Sequence, residues 1–184
     1  MGLTLLAPPT SEAVSLDEAK AQLRVSATSE DAYIGTLISA ASRWVERYTS
    51  RSLSERQWLL TLDAFADAIE LPMGPVISID AVEYANTSGS TVTLDAENYT
   101  LDSASEPQWL VRNTGFAWPA LLDAVNTVSI TYTAGPEELP AQYADLKMAI
   151  LLLVGHFYQH RDESAPIPEA VEYLCGPFRL PTLR

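Results

Sequence analysis

The chain has 184 residues, 47% of them hydrophobic, which is enough apolar material for a real core and excludes global disorder. Its formal charge is −13, with 24 acidic against 11 basic side chains, and this argues against a free-standing nucleic-acid binder, whose affinity comes largely from neutralising phosphates. The single cysteine, Cys175, excludes an intrachain disulfide and a cysteine-rich zinc site, and suits a reducing compartment.

The first residues, Met1 to Pro9, lack the basic start and long apolar run of a signal peptide. The longest apolar run, Met148 to Val154, is far short of the ~20 residues that cross a bilayer. The expectation is a soluble protein made in the cytoplasm. Residues 1–14 carry Pro8-Pro9 and no periodicity, and read as an extended arm.

Ser15 opens a helix with a capping box closed by Glu18, a staple between Val14 and Ala19, and a buried face at Leu16, Ala19 and Leu23. A break at Ala27 to Glu30 offers Thr28 or Ser29 as the cap of a second helix. There Ile34, Leu37, Ile38, Ala41, Trp44, Val45 and Tyr48 recur at steps of three and four, while Arg43, Glu46 and Arg47 fall on the wet side. Gly35, Ala40 and Ala41 are small enough to admit a close helix neighbour.

From Gln57 the rhythm changes to short runs between turn residues. Strands are expected at Trp58–Leu62, Ile69–Leu71, Val76–Tyr84, Thr91–Leu94, Tyr99–Leu101, Trp109–Val111 and Thr127–Thr133. Their close spacing argues for antiparallel pairing, Asn86 to Ser90 supplies a hairpin loop, and Pro72 and Pro75 suit a turn or an edge. After Gly135, Pro140 fits the first turn of a third helix, nearly apolar all round from Met148 to Val154 and therefore the most buried. Gly155 suggests a close crossing, a short fourth helix runs from about Pro168 to Leu174, and a proline-punctuated tail follows.

These readings give an α+β fold: a small bundle of three to four helices with an inserted antiparallel β subdomain. The expected division is an arm at 1–14, helical body at 15–55, β insertion at 56–135, helical body again at 136–175, and a tail at 176–184.

Candidate chemistry is sparse. His156 and His160 lie four apart on a helix, with Asp162 and Glu163 just beyond, a spacing that can hold a metal. The pair lacks the glutamate that follows the first histidine in zinc proteases, and no third ligand is evident, so a metal-dependent hydrolase is the lesser alternative. Serine-nucleophile and phosphate-loop motifs are absent. Cys175, followed by Gly176-Pro177, reads as a small buried hydrophobe at a helix stop rather than an activated thiol. Glu137-Glu138 precedes a helix, where its charge favours capping over acid–base chemistry. Trp44, Trp58, Trp109 and Trp118 are too scattered for a base-stacking platform and read as anchors of a core or an interface. No catalytic, cofactor or metal site is assigned. The tail is the candidate protein–protein contact: Pro177, Phe178, Arg179, Leu180, Leu183 and Arg184 combine apolar anchors with positive charge.

The segments Ser15 to Val25, Glu30 to Ile34 and Trp44 to Arg51 resemble the opening of tailed-phage head–tail connector (adaptor) proteins. Trp58 to Asp63, Ile69 to Pro72 with Pro75-Val76, Trp118-Pro119, Tyr132 to Gly135, Leu139-Pro140, and Leu146 to Tyr158 followed by Arg161 resemble the rest of that family's longer-chain branch. Members often carry Tyr-Thr-Gly-Arg where this chain has Tyr48-Thr-Ser-Arg51, and Glu-Asn at the positions of Gln159-His160. The resemblance implies a structural virion protein and no catalysed reaction. Such proteins form a homo-oligomeric ring, usually of twelve copies, below the portal of a filled capsid. The ring extends the DNA channel and receives stopper or tail-completion proteins; gene transfer agents use a similar neck. An acidic ring suits that role, since a lumen that is not basic lets DNA slide through without sequence-specific binding. A packaging accessory that acts transiently is the other alternative in the same setting.

Overall fold

The computed structural model describes residues 1–9, 11–161 and 165–180. The fold is α+β, with helices and antiparallel sheets in separate stretches of the chain. Two compact units emerge, one from Met1–Thr10 with Glu55–Gly135, the other from Ser11–Ser54 with Pro136–Arg184.

The second unit is helical, with α1 (Leu16–Leu23), α2 (Asp31–Thr49), α3 (Ala144–Gln159) and α4 (Glu169–Cys175). The capping box at the start of α1 is present: Ser15 Oγ accepts from the Glu18 amide at 3.2 Å, and Glu18 Oε2 accepts from the Ser15 amide at 2.9 Å. Val14 and Ala19 are both buried, as a staple requires. The period of α2 puts Ile34, Ile38, Ala41 and Val45 against Leu146, Ile150, Leu153 and Val154 of α3 in one core, which Val171 and Cys175 of α4 join. Each of the valine, leucine and isoleucine side chains among these stabilises the unit by about 1.5–3 kcal/mol on full burial.

Several local expectations are corrected. Neither Thr28 nor Ser29 caps α2: its N-cap residue is Glu30, without a side-chain bond, and Thr28 gives only its carbonyl to the Asp31 amide. Pro140 stands one residue ahead of a 3-10 turn, Ala141–Tyr143, that leads into α3. Glu137 and Glu138 are exposed, and no side chain caps the turn or the helix, so the pair is no cap. Glu46 is buried rather than wet; its carboxylate accepts from the Leu53 amide at 2.9 Å, which offsets the cost of bringing it inside. A Cβ built on Gly35 or Gly155 meets nothing within 4 Å, so neither glycine marks a helix crossing inside the protomer. α3 is the most apolar helix, yet its Met148 is 46% exposed.

The first unit holds two antiparallel sheets. One has the order β1-β2-β8-β4-β5, from Gly2–Leu5, Arg56–Leu62, Val128–Ala134, Val76–Ala85 and Thr91–Thr93. The other has the order β3-β7-β6, from Ala68–Leu71, Gln108–Arg112 and Tyr99–Asp102. The central strand β8 alternates buried Val128, Ile130, Tyr132 and Ala134 with half-buried Ser129, Thr131 and Thr133. These residues, with Leu60 and Val82 of the same sheet and Ile69, Leu71 and Leu110 of the other, form one core. Residues 1–14 are therefore not a plain arm, since β1 pairs antiparallel with β2. In the Asn86–Ser90 hairpin only Gly89 takes positive φ, at 81°; Asn86 contributes its side-chain oxygen, which accepts from the Ser88 and Ser90 amides at 3.0 Å. Among the described residues, no helix is long and apolar enough to cross a membrane.

Candidate interaction surfaces

The C-terminal segment that follows α4 is tied to the helical unit as far as Leu180. Gly176–Phe178 forms a 3-10 turn. Arg51, only 6% exposed, donates from Nε to the Phe178 carbonyl at 2.7 Å and from Nη1 to the Tyr143 hydroxyl at 3.5 Å. The Phe178 ring meets that of Tyr143 edge-on at 5.7 Å, and the Leu180 amide donates to the Thr49 carbonyl at 3.0 Å. A guanidinium has five donors in a rigid fork, and a buried one must find acceptors, so Arg51 fixes this segment by its own need for partners. Of the six tail residues expected to form an interface, Phe178 and Leu180 are thus half-buried on their own subunit, whereas Pro177 and Arg179 remain exposed. Leu183 and Arg184 lie outside the described residues.

Arg179 leads to a second surface, one that sequence reasoning passed over. Its guanidinium lies 5.4 Å from the centroid of Tyr48, and Tyr48 stacks on Trp44 at 5.0 Å with 13° between the ring planes. Arg43 and Arg47 flank the two rings, one residue ahead of each on the exposed face of α2. A shallow open groove runs along this face past Thr36, Ser39 and Ala40 to Arg43, Trp44 and Arg47, and continues over Tyr48 to Arg179. Among the described residues, Arg43 and Arg47 have no carboxylate partner, whereas Lys20, Arg112, Lys147 and Arg161 are paired with Asp31, Asp67, Glu18 and Glu30. The legible signal was Arg-Trp-x-x-Arg-Tyr at 43–48, two cations and two aromatics at helical spacing.

The enzyme candidates do not converge. His160 lies just past the end of α3, and its ring sits 4.6 Å from that of His156 with Nδ1 on the His156 carbonyl at 2.9 Å. Asp162 and Glu163 lie outside the described residues, and among the described ones no three His, Cys, Asp or Glu are grouped as metal ligands. Cys175 is fully buried, and burial first, then the Glu172 carboxylate, pushes its thiol up to about 11, far from a reactive thiolate. The tryptophans do not form one platform. Trp118 stacks on Phe65 at 4.3 Å within the β unit and donates to the Ala66 carbonyl at 2.9 Å, while Trp44 belongs to α2.

The sequence profile described as "Phage gp6-like head-tail connector protein" matches residues 13–107. Curated protein sequences yield no match. Among solved structures, a chain in the "Neck of empty GTA particle computed with C6 symmetry" is 25% identical, with a TM-score of 0.82 over 100% of this chain and 98% of that one. A chain in the "Virion of native gene transfer agent (GTA) particle" gives the same values. A chain in the "Neck of native GTA particle computed with C12 symmetry" is 24% identical with a TM-score of 0.75, and shares the fold.

Proposed function

The chain belongs to the phage gp6-like head-tail connector protein family, and from that premise we propose that it forms a homo-oligomeric ring, of twelve copies, in the neck of a phage or gene-transfer particle. In this reading the ring sits below the portal, extends the DNA channel and receives the stopper or tail-completion protein. The observation that carries the proposal is the full-length likeness, at 25% identity, to chains of a gene-transfer-agent neck and virion. A net charge of −13 fits a conduit that DNA traverses without being held.

The test is to delete the gene and image the particles. The connector reading expects filled heads that leak or lack tails, and a labelled copy of the chain located as a ring at the neck. Tailed particles with normal necks would overturn it. A transient packaging accessory predicts instead that mature particles contain none of the chain, which mass spectrometry of purified particles decides. Because ring contacts between acidic copies are individually weak, the portal is expected to template the ring, and light scattering of dilute isolated protein should show small species.

A further inference from the structure

We propose that the cationic aromatic face of α2 is one half of the contact between neighbouring copies, and that the acidic outer face of α4 of the next copy is the other half. The inference rests on the ring reading above and names the surfaces that close it. On one side stand Arg43, Trp44, Arg47, Tyr48 and Arg179, grouped along an open groove. On the other stand Glu169, Glu172 and Tyr173, all exposed at helical spacing, with Tyr173 84% exposed, the largest value for a large hydrophobic among the described residues.

Neither surface is satisfied within its own copy. Among the described residues, no ion pair or hydrogen bond engages the side chains of Arg43, Arg47, Glu169 or Glu172, and no ring contact engages Tyr173. The two are complementary in sign and alike in aromatic content, the composition that marks contact centres. A ring needs a heterologous contact, with two different faces on each copy, and these two faces are of that kind. A phosphate backbone fits less well, since the rest of the chain is strongly acidic and repels it. Carboxylates presented on a helix, with one ring to join the Trp44–Tyr48 stack, suit guanidinium forks that hold no partner.

Two experiments on the full chain test this. In the first, Arg47→Cys and Glu172→Cys are combined and the protein is oxidised at high concentration; native Cys175 is buried and does not interfere. A ladder of disulfide-linked oligomers is expected, weakened by high salt, while each single variant stops at the dimer. In the second, Arg43→Glu with Arg47→Glu is expected to lower occupancy of particle necks at least about tenfold, and adding Glu169→Arg with Glu172→Arg to restore it. All four positions are exposed, so circular dichroism should match the parent. No ladder, or normal necks with the reversed arginines, overturns the proposal. Loss without restoration overturns α4 as the occupant and assigns the groove to an acidic segment of another neck protein. A ladder from a chain that no particle neck contains would uphold the contact and defeat the neck reading.

Discussion

The two units solve the problem of buried polar groups differently. In the β unit, apart from the buried Arg56 at the start of β2, the core is apolar and its buried polar side chains bond to main-chain groups: the Tyr132 hydroxyl donates to the Pro72 carbonyl at 2.6 Å, and Gln108 accepts from the Val76 amide and donates back to the Val76 carbonyl. In the helical unit, Glu46 and Arg51 are buried charges near the end of α2, and Arg51 reaches a carbonyl 127 residues away. A carbonyl in a sheet is held by its neighbours whatever the side chains are. The segment after α4 has no sheet to hold it, and a buried guanidinium does so instead. The difference teaches that the C-terminal segment is fastened by a few contacts, Arg51 foremost beside the Phe178–Tyr143 rings and the Leu180 amide, which makes that fastening easy to break.

The largest effect should come from breaking it. Arg51→Ala is expected to cost about 3–5 kcal/mol, the usual penalty for removing one member of a buried charged network. Denaturant unfolding would measure it, and hydrogen exchange should show residues 176–180 losing protection first. Ending the chain after Cys175 removes the Phe178 carbonyl and ring from Arg51 and Tyr143, and should destabilise by about 2–4 kcal/mol. This reverses what a free recognition arm predicts, namely an unchanged melting temperature. Ending it after Leu180 removes none of these contacts. Next in size, Tyr132→Phe in the β unit leaves one carbonyl unpartnered and packing intact, and should cost about 1 kcal/mol. A loss as large as that of Arg51→Ala would erase the contrast between the units.

Acid should also separate them, with opposite signs. The Lys147 ammonium and the Ser15 amide hold Glu18 below the usual glutamate range, and the Tyr158 hydroxyl followed by Arg161 do the same for Glu30. A carboxylate whose folded pKa is lowered contributes stability that is complete above its unfolded pKa and is lost as pH falls through the folded value. Glu70 in the β unit is raised by burial, so its ionised form opposes folding and acid relieves that opposition as pH falls through its raised value. Residue-resolved exchange between neutral pH and pH about 4 should therefore show α1, α2 and the end of α3 weakening before β3. Earlier loss at β3 would sink the assignment.

Much of this was legible in the chain. Of the eight strands among the described residues, seven lie within two residues of where the sequence places them, because alternation along β8 and the Pro72–Pro75 and Asn86–Ser90 turns carry their own signals. β1 was missed because four residues beside Pro8-Pro9 show little pattern; pairing with β2, not propensity, makes them a strand. Glu46 was misplaced for a related reason. A glutamate between two arginines reads as surface, and only the nearby Leu53 amide makes a buried site acceptable. The tail's Phe178 reads as an anchor, but its partner is Arg51, distant in sequence and silent in any periodicity.

The smallest effect concerns two glycines. Gly35 on α2 and Gly155 on α3 were expected to mark close crossings, yet an added Cβ meets nothing within 4 Å at either position. Neither has a positive φ, so alanine suits both backbones and lowers only the entropy of the unfolded chain. Gly35→Ala and Gly155→Ala should each raise stability by about 0.5–1 kcal/mol in the isolated protein. The two states of the chain then give different readings. If a neighbouring copy approaches one of these helices closely in the ring, the same methyl that stabilises the monomer will lower incorporation into necks, and competition between parent and variant chains in one host will show it. Equal incorporation of both variants places the contact elsewhere and leaves the Arg43–Arg179 face as the surface of α2 that meets a partner.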